Sequence, residues 1–245
     1  MTWTEASLIR RIDWAPQLAT FCFDTKLDGF APGQWLNIAL NVAEERITRA
    51  YSLASAPGAG VQLFVTEVDS GALTPGLFSM QLGDRLQLDT TARGFFSLDY
   101  VPEAQDLWLV ATGTGLGPFI SILRAGALFE RFEHVVVVHG VRRADHLAYA
   151  DEIRALRPER CAVSYVPVVS REPERSGVLH GRVTAALSSG QLEDAAGRVL
   201  SPARSHLMLC GNPEMITDLM ALLSARGLQR HRVRKPGHVT IEKYW

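Results

Sequence analysis

Apolar residues alternate with others at 18–25 (LATFCFDT) and 61–68 (VQLFVTEV), a period of two that turns one face of each segment towards a core. Four further segments read as strands between turn signals: 7–14 (SLIRRIDW), 34–40 (QWLNIAL), 45–55 (ERITRAYSLAS) and 84–90 (DRLQLDT). Six short strands at this spacing predict a closed or nearly closed antiparallel barrel. One interruption, LTPGLFSM at 73–80, predicts a brief helix with Thr74 as N-cap and Pro75 in the first helical position.

Beyond a boundary expected at 97–106 the pattern becomes strand, turn, helix, repeated. LWLVATG (107–113) precedes GPFISILRAGALF (117–129), and HVVVVHG (134–140) precedes ADHLAYADEIRAL (144–156). CAVSYVPVVS (161–170) leads to GRVTAALSS (181–189), and SHLMLCG (205–211) leads to NPEMITDLMALLSARG (212–227). These strands are continuous apolar runs, as in a parallel sheet covered on both faces. The last helix is fully punctuated: Asn212 can cap it, Pro213 fits its first turn, and Gly227 ends it.

Composition narrows the class. A net charge of −1 over 245 residues lacks the basic excess of a nucleic-acid protein. Cys22, Cys161 and Cys210 form no C-x-x-C pair and are too few for a four-cysteine metal site, so no metal is expected and a reducing, cytoplasmic setting fits. The longest charge-free run, 107–123, holds three glycines and a proline, so no membrane span is expected. Nothing demands a second subunit, and a monomer is expected.

Several positions carry candidate chemistry. TRAYSLASAP at 48–57 sets Arg49, Tyr51 and Ser52 within four residues of a barrel strand. A flavin dinucleotide would use a guanidinium on its pyrophosphate, a ring for stacking and a hydroxyl near its ring nitrogens; an ordinary strand with exposed Arg and Tyr is the competing reading. GTGLGP at 113–118 follows the first parallel strand, where α/β sheets bind ligands, and its glycines allow close approach to a phosphate. Pro118 stands where the usual dinucleotide fingerprint has Gly. Cys210 alone reads as a small buried hydrophobe, His139 as structural, and Phe95 and Phe96 as core.

Arg-x-Tyr-Ser in a barrel strand, followed by Gly-x-Gly-x-Gly-Pro and Cys-Gly-x-Pro turns, resembles the ferredoxin-NADP reductase family. GALTPGLFSMQLGD, GFFSLD, VVSRE, LCGNPEM and the terminal RKPGHVTIEKYW make the chain most similar to the compact bacterial ferredoxin/flavodoxin NADP reductases. The resemblance implies a ferredoxin-reductase-like fold, with an FAD-binding barrel at 1–100, an NADP-binding α/β domain at 101–245 and the active site at their seam. Tyr51 would pack on the isoalloxazine, Ser52 would lie near flavin N5 and Arg49 would meet the pyrophosphate. Ala50, Leu73, Thr74 and Phe95 would complete the FAD contacts. Thr74 is equally readable as a simple cap.

On the NADP side the resemblance implies Gly113, Thr114 and Gly115 at the pyrophosphate, with Cys210 and Gly211 beside the nicotinamide. Arg142, Arg171 and Arg182 are candidates for the 2′-phosphate, with Arg143 as an alternative to its neighbour. Arginine supplies all but three of the basic residues, so solvated surface arginines are the competing reading. Trp245 would cover the flavin face opposite Tyr51 as a movable lid, and Glu242 would join a proton network. RHRVRK at 230–235, with Arg230, Arg232, Arg234 and Lys235, could steer an acidic ferredoxin or flavodoxin, or be a solvated face.

The expected reaction is electron transfer between NADPH and ferredoxin or flavodoxin, by hydride transfer to flavin N5 followed by one-electron steps. Two other readings stay open: an NAD(P)H reductase component serving an oxygenase or free flavin, and a nucleotide-binding regulatory protein without turnover.

Overall fold

A computed structural model of the chain describes residues 2–25, 27, 29–42 and 45–243. The chain forms two compact units, one of Met1–Leu98 with Gly117–Ala125, the other of Asp99–Leu116 with Gly126–Trp245.

The first unit carries β1 (Trp3–Ala15), β2 (Leu18–Asp24), β3 (Trp35–Val42), β4 (Glu45–Ser52), β5 (Val61–Thr66), the short helix α1 (Thr74–Ser79) and β6 (Arg85–Asp89). The six strands form one antiparallel sheet in the order β4-β3-β6-β1-β2-β5. Register shifts in β1 between Leu8 and Arg10 and between Asp13 and Ala15 let this long strand bend. The sheet curls until its outer strands meet at one end: Leu53, just past β4, bridges Leu63 of β5, and the Ala54 N–H donates to Gln62 O at 2.8 Å. Leu8, Phe21, Phe23, Leu36, Ile38, Leu63 and Leu88 fill the interior, each large side chain contributing about 1.5–3 kcal/mol of transfer free energy.

Thr74 does not cap α1. The cap position is the buried Leu73, and the Thr74 hydroxyl instead accepts from Val68 N–H (2.9 Å) and donates to Val68 O (3.1 Å), holding the preceding loop. Pro75 stands in the first turn as expected. β2 departs from its alternating pattern, because Thr20 and Cys22, expected to face outward, are also buried. Part of the reason is that helix α2 (Gly117–Ala125) packs with this unit: Ser121 Oγ donates to Ser55 O at 2.6 Å, and the Arg124 guanidinium donates to Ala54 O at 2.9 Å and Gln62 Oε1 at 2.8 Å.

The second unit holds β7 (Asp106–Thr112), α3 (Leu128–Arg131), β8 (His134–Val141), α4 (Ala150–Arg154), β9 (Ala162–Val169), β10 (Leu179–His180), α5 (Val183–Ser188), α6 (Gln191–Ala196), β11 (Ser205–Gly211), α7 (Pro213–Ala225) and β12 (Val239–Lys243). Its strands form a six-stranded parallel sheet in the order β10-β9-β8-β7-β11-β12. The apolar runs are buried throughout β11 and nearly so in β7 and β8, as sheets covered on both sides require. Asn212 Oδ1 accepts from Glu214 N–H (2.7 Å) and Met215 N–H (3.1 Å), fulfilling the predicted cap of α7.

Two expected helices are shorter than their patterns. The first breaks at Gly126, and the second becomes a single turn at Ala144–His146 followed by α4. Between that turn and α4 the buried Tyr149 takes a left-handed backbone, φ 60°, which interrupts any continuous helix.

From β7 the chain fills the sheet outward through β8, β9 and β10, then returns to lay β11 on the other side of β7 and β12 beyond it. The reversal lies between β7 and β11. In an open α/β sheet that position, at the carboxyl ends of the strands, leaves a crevice where ligands bind.

Candidate functional site

In the antiparallel unit the candidate residues sit at the end of the outer strand β4. Its register sets Ser52 opposite Trp35, Tyr51 opposite Leu36 and Arg49 opposite Ile38. Arg49 and Ala50 are exposed, Tyr51 is half-buried against the core and Ser52 is buried. Burial pushes the Tyr51 phenol up to about 12, against a smaller opposing pull from the Arg49 charge, so the ring is neutral and suited to stacking. The Arg49 guanidinium rests on Thr48 O at 2.8 Å, and the side chain is otherwise open to an anion. Phe95 is 70% exposed, whereas Phe96 is buried against Phe119 with ring centroids 5.6 Å apart, so only Phe96 is core.

The backbone just after this motif is tied down by groups the sequence reading missed. Ser121 and Arg124 hold the carbonyls of Ser55 and Ala54, and Ser55 Oγ donates to Gly60 O at 2.8 Å. They lie more than 60 residues away along the chain, so no local pattern could have flagged them.

In the parallel unit two glycine turns meet backbone to backbone at the reversal point. Gly113, Thr114 and Gly115 form a 3₁₀ turn with Leu116 at the end of β7, while Cys210 and Gly211 end β11 beside it. A Cβ on Gly115 would stand 2.6 Å from Cys210 O and 2.8 Å from the Gly211 Cα. A Cβ on Gly211 would stand 2.3 Å from Thr112 Oγ1, and its φ of +130° is itself restricted to glycine. Thr112 Oγ1 accepts from Asn212 N–H at 2.9 Å, stitching the second turn to β7. At Gly113, φ +54°, a side chain would instead point into open space. The turn thus offers backbone at Gly113 unobstructed by any side chain of its own, the surface a pyrophosphate needs.

His139, at the end of β8 and opposite Ala111 in register, is fully buried, with Nε2 3.1 Å from Gly113 O. Burial lowers its pKa to about 4; the hydrogen bond opposes this and His146 adds to it. The sequence alone shows His139 only as a structural residue. The parallel register of β7 and β8 is the signal that points it at the glycine turn.

The loops that carry the candidate arginines follow adjacent strands. Arg142 follows β8, Arg171 follows β9 and Arg182 follows β10, three neighbouring strands ending on one edge of the sheet. Arg171 N–H donates to Arg142 O at 2.9 Å, and Gly181 N–H to Val169 O at 2.9 Å, so the three loops are tied together. All three side chains are exposed, and none makes a hydrogen bond or ion pair among the described residues. Arg143 differs: Asp145 accepts from both Nε and Nη2 at 3.2 Å, hydrogen bonds that raise the Arg143 pKa and hold the carboxyl low.

Cys210 is buried and pairs in register with Glu242 of β12, bringing those two candidates side by side. Trp245, the expected lid, lies outside the described residues. The 230–235 segment forms a tight hairpin in which Arg232 and Lys235 exchange backbone hydrogen bonds of 3.0 and 2.8 Å. Arg230, Arg232, Arg234 and Lys235 are exposed without ion pairs among the described residues, while His231 folds inward to meet the His206 ring at 5.7 Å. Among the described residues no group of three or more His, Cys, Asp or Glu could hold a metal ion, and no helix is long and apolar enough to cross a membrane.

Comparison with known proteins agrees with both halves. Residues 5–96 match the family described as Oxidoreductase FAD-binding domain, and residues 109–220 match Oxidoreductase NAD-binding domain. The chain is 37% identical to a flavodoxin/ferredoxin--NADP reductase from Shigella flexneri and 36% identical to one from Escherichia coli (strain K12), in both cases over 99% of each chain. A crystal structure of a ferredoxin NADP+ reductase from Neisseria gonorrhoeae with bound FAD and NADP superposes with a TM-score of 0.92 at 30% identity, again covering 99% of both chains. With its curled antiparallel sheet, its parallel sheet and a full-length match to these relatives, the chain belongs to the flavodoxin/ferredoxin–NADP reductase family of oxidoreductases.

Proposed function

We propose that this chain is an FAD-dependent reductase passing electrons between NADPH and ferredoxin or flavodoxin. The observation that carries the reading is the meeting of the Gly113–Gly115 and Cys210–Gly211 turns at the reversal point of a parallel sheet, in a chain whose other unit ends β4 in Arg-Ala-Tyr-Ser. Residues 1–100 are assigned to FAD and 101–245 to NADP. FAD, when bound, supplies the conversion between the hydride of NADPH and the single electrons of the carrier.

The chain's own residues then have separable tasks. Tyr51, neutral and half-buried, presents a ring on which a flat heterocycle stacks, and Arg49 supplies a cation for the pyrophosphate. Leu73 and Thr74 shape the loop and helix start beside them, Thr74 through its hold on Val68. Ser52, buried at the strand end, is the hydroxyl assigned to the flavin ring. Gly113, Thr114 and Gly115 present backbone to the NADP pyrophosphate, and Arg142, Arg171 and Arg182 supply the charge that prefers a 2′-phosphate. Cys210, fully buried at the end of β11, is assigned to the nicotinamide side, with Glu242 opposite it in register. The unpaired cations of the 230–235 hairpin suit an acidic carrier, met by a monomeric, cytoplasmic enzyme.

The test is anaerobic. Purified protein should show flavin absorbance that bleaches on adding NADPH, and cytochrome c reduction should rise several-fold when ferredoxin or flavodoxin is supplied. Colourless protein that takes up no FAD would defeat the reading; a bleached flavin indifferent to either carrier would favour a reductase of free flavin.

A further inference from the structure

We infer that His139 is a positioning residue for the dinucleotide turn, holding the Gly113 carbonyl so that the glycine backbone keeps the shape that grips a pyrophosphate. The inference rests on the NADP assignment above and extends it to a residue outside the binding surface.

The chemistry is constrained. His139 is fully buried at the end of β8, and the atom 3.1 Å from its Nε2 is a carbonyl oxygen, which can only accept. Nε2 therefore carries the proton and Nδ1 is bare. Nδ1 is buried and has no hydrogen-bond partner among the described residues. A fully buried imidazole with one nitrogen unsatisfied is a poor choice for mere filling between Ala111 and Pro167; a Leu or Phe would carry no such penalty. What the imidazole provides, and an apolar side chain would not, is a donor for Gly113 O.

That carbonyl needs one. Gly113 leaves β7 with φ +54°, and the chain turns there into the 3₁₀ segment. On its other side the turn is braced where Gly115 packs against Cys210 and Gly211. Depressed basicity from burial keeps the ring uncharged at neutral pH, so the hydrogen bond holds the turn without placing a cation behind it.

The experiment compares His139→Phe, which keeps a ring and removes the donor, with His139→Gln, whose amide nitrogen reaches where Nε2 stands. NADP+ binding to the FAD-loaded enzyme is measured by calorimetry, alongside KM and kcat for NADPH. The Phe variant should lose roughly tenfold in NADP+ affinity and gain a similar factor in KM with kcat nearly unchanged, and Gln should recover most of the loss. Equal losses in both variants, or a Phe variant within twofold of the native enzyme, would overturn the role. Should the Phe variant not fold, nitrogen-15 spectra of the native enzyme decide: a neutral Nε2–H ring whose resonances move on NADP+ saturation supports it, and an Nδ1–H ring or unmoved resonances overturn it. Native enzyme that binds no NADP+ removes the NADP assignment and this inference together, whereas native binding with an indifferent variant removes this inference alone.

Discussion

The two units present their candidate sites in different materials. On the antiparallel unit the groups are side chains, Arg49, Tyr51 and Ser52, carried on an outer strand whose backbone pairs with β3. On the parallel unit the groups are mostly backbone, and the residues that matter there matter for lacking a Cβ. A side-chain site loses one interaction at a time when substituted. A backbone site built from two turns in contact fails as architecture, because an atom added at Gly115 or Gly211 must displace the neighbouring turn or strand.

Gly211→Ala puts a methyl 2.3 Å from Thr112 Oγ1 at a φ of +130°, and should destabilise the protein by more than about 3 kcal/mol. Thermal unfolding measures it, and a loss under about 1 kcal/mol would mean that the turns are not locked together. Tyr51→Ala should leave the fold intact and weaken FAD retention by roughly tenfold or more, while Tyr51→Phe keeps the ring and most of the flavin; unchanged FAD content in the Ala variant removes the stacking role.

Acid should separate the units. All seven histidines lie beyond residue 100, and burial lowers two of them, His139 to about 4 and His206 to about 3, the latter with smaller contributions from His231, His238 and Arg131. An unfolded histidine titrates near 6.5, so between that value and the folded one the unfolded chain binds more protons, and stability present above pH 7 is lost as pH falls. Each group contributes a slope on the order of 1.4 kcal/mol per pH unit there. In the antiparallel unit the buried Asp89 is raised by burial but lowered overall by its 2.6 Å hydrogen bond to Arg93, by Thr91 N–H and by nearby positive charge; its contribution holds until pH falls below the ordinary carboxylate value of 3.8. Hydrogen exchange at pH 5 should show the parallel unit loosening first, and uniform loosening would contradict this assignment.

The smallest effect tests the arginines. Arg142→Ala should raise KM for NADPH about tenfold and leave NADH little changed, whereas Arg143→Ala, whose guanidinium is already engaged by Asp145, should shift KM less than about threefold. The reverse order would reassign the 2′-phosphate contact.

Much of this was legible in the sequence, because periodicity and turn chemistry are local. The period of two gave β2 and β5, flanking turn signals gave the other four antiparallel strands, continuous apolar runs gave β7, β8, β9 and β11, and Asn212-Pro213 gave α7. Residues 239–243 were not legible as a strand: two charges in five residues suit an edge strand and leave no apolar run to notice. Leu179–His180 is too short to carry a period at all. Thr74 has the residue type of a cap, but its hydroxyl is better used on the Val68 backbone six residues back. In the site, residue types and strand-end positions were readable. The bracing by His139, Ser121 and Arg124 was not, since each partner is supplied by strand register or by a helix distant along the chain.

Helix α2 has a consequence for how this molecule can be taken apart. The polypeptide passes from one compact unit to the other at 98, again at 116 and again at 125, so no single scission releases either half intact. A fragment ending near residue 98 would forfeit Ser121 and Arg124, stranding the carbonyls of Ser55 and Ala54. The protein is threaded rather than beaded, and a recombined or shuffled version that preserves folding must carry the 117–125 segment along with the strands it fastens.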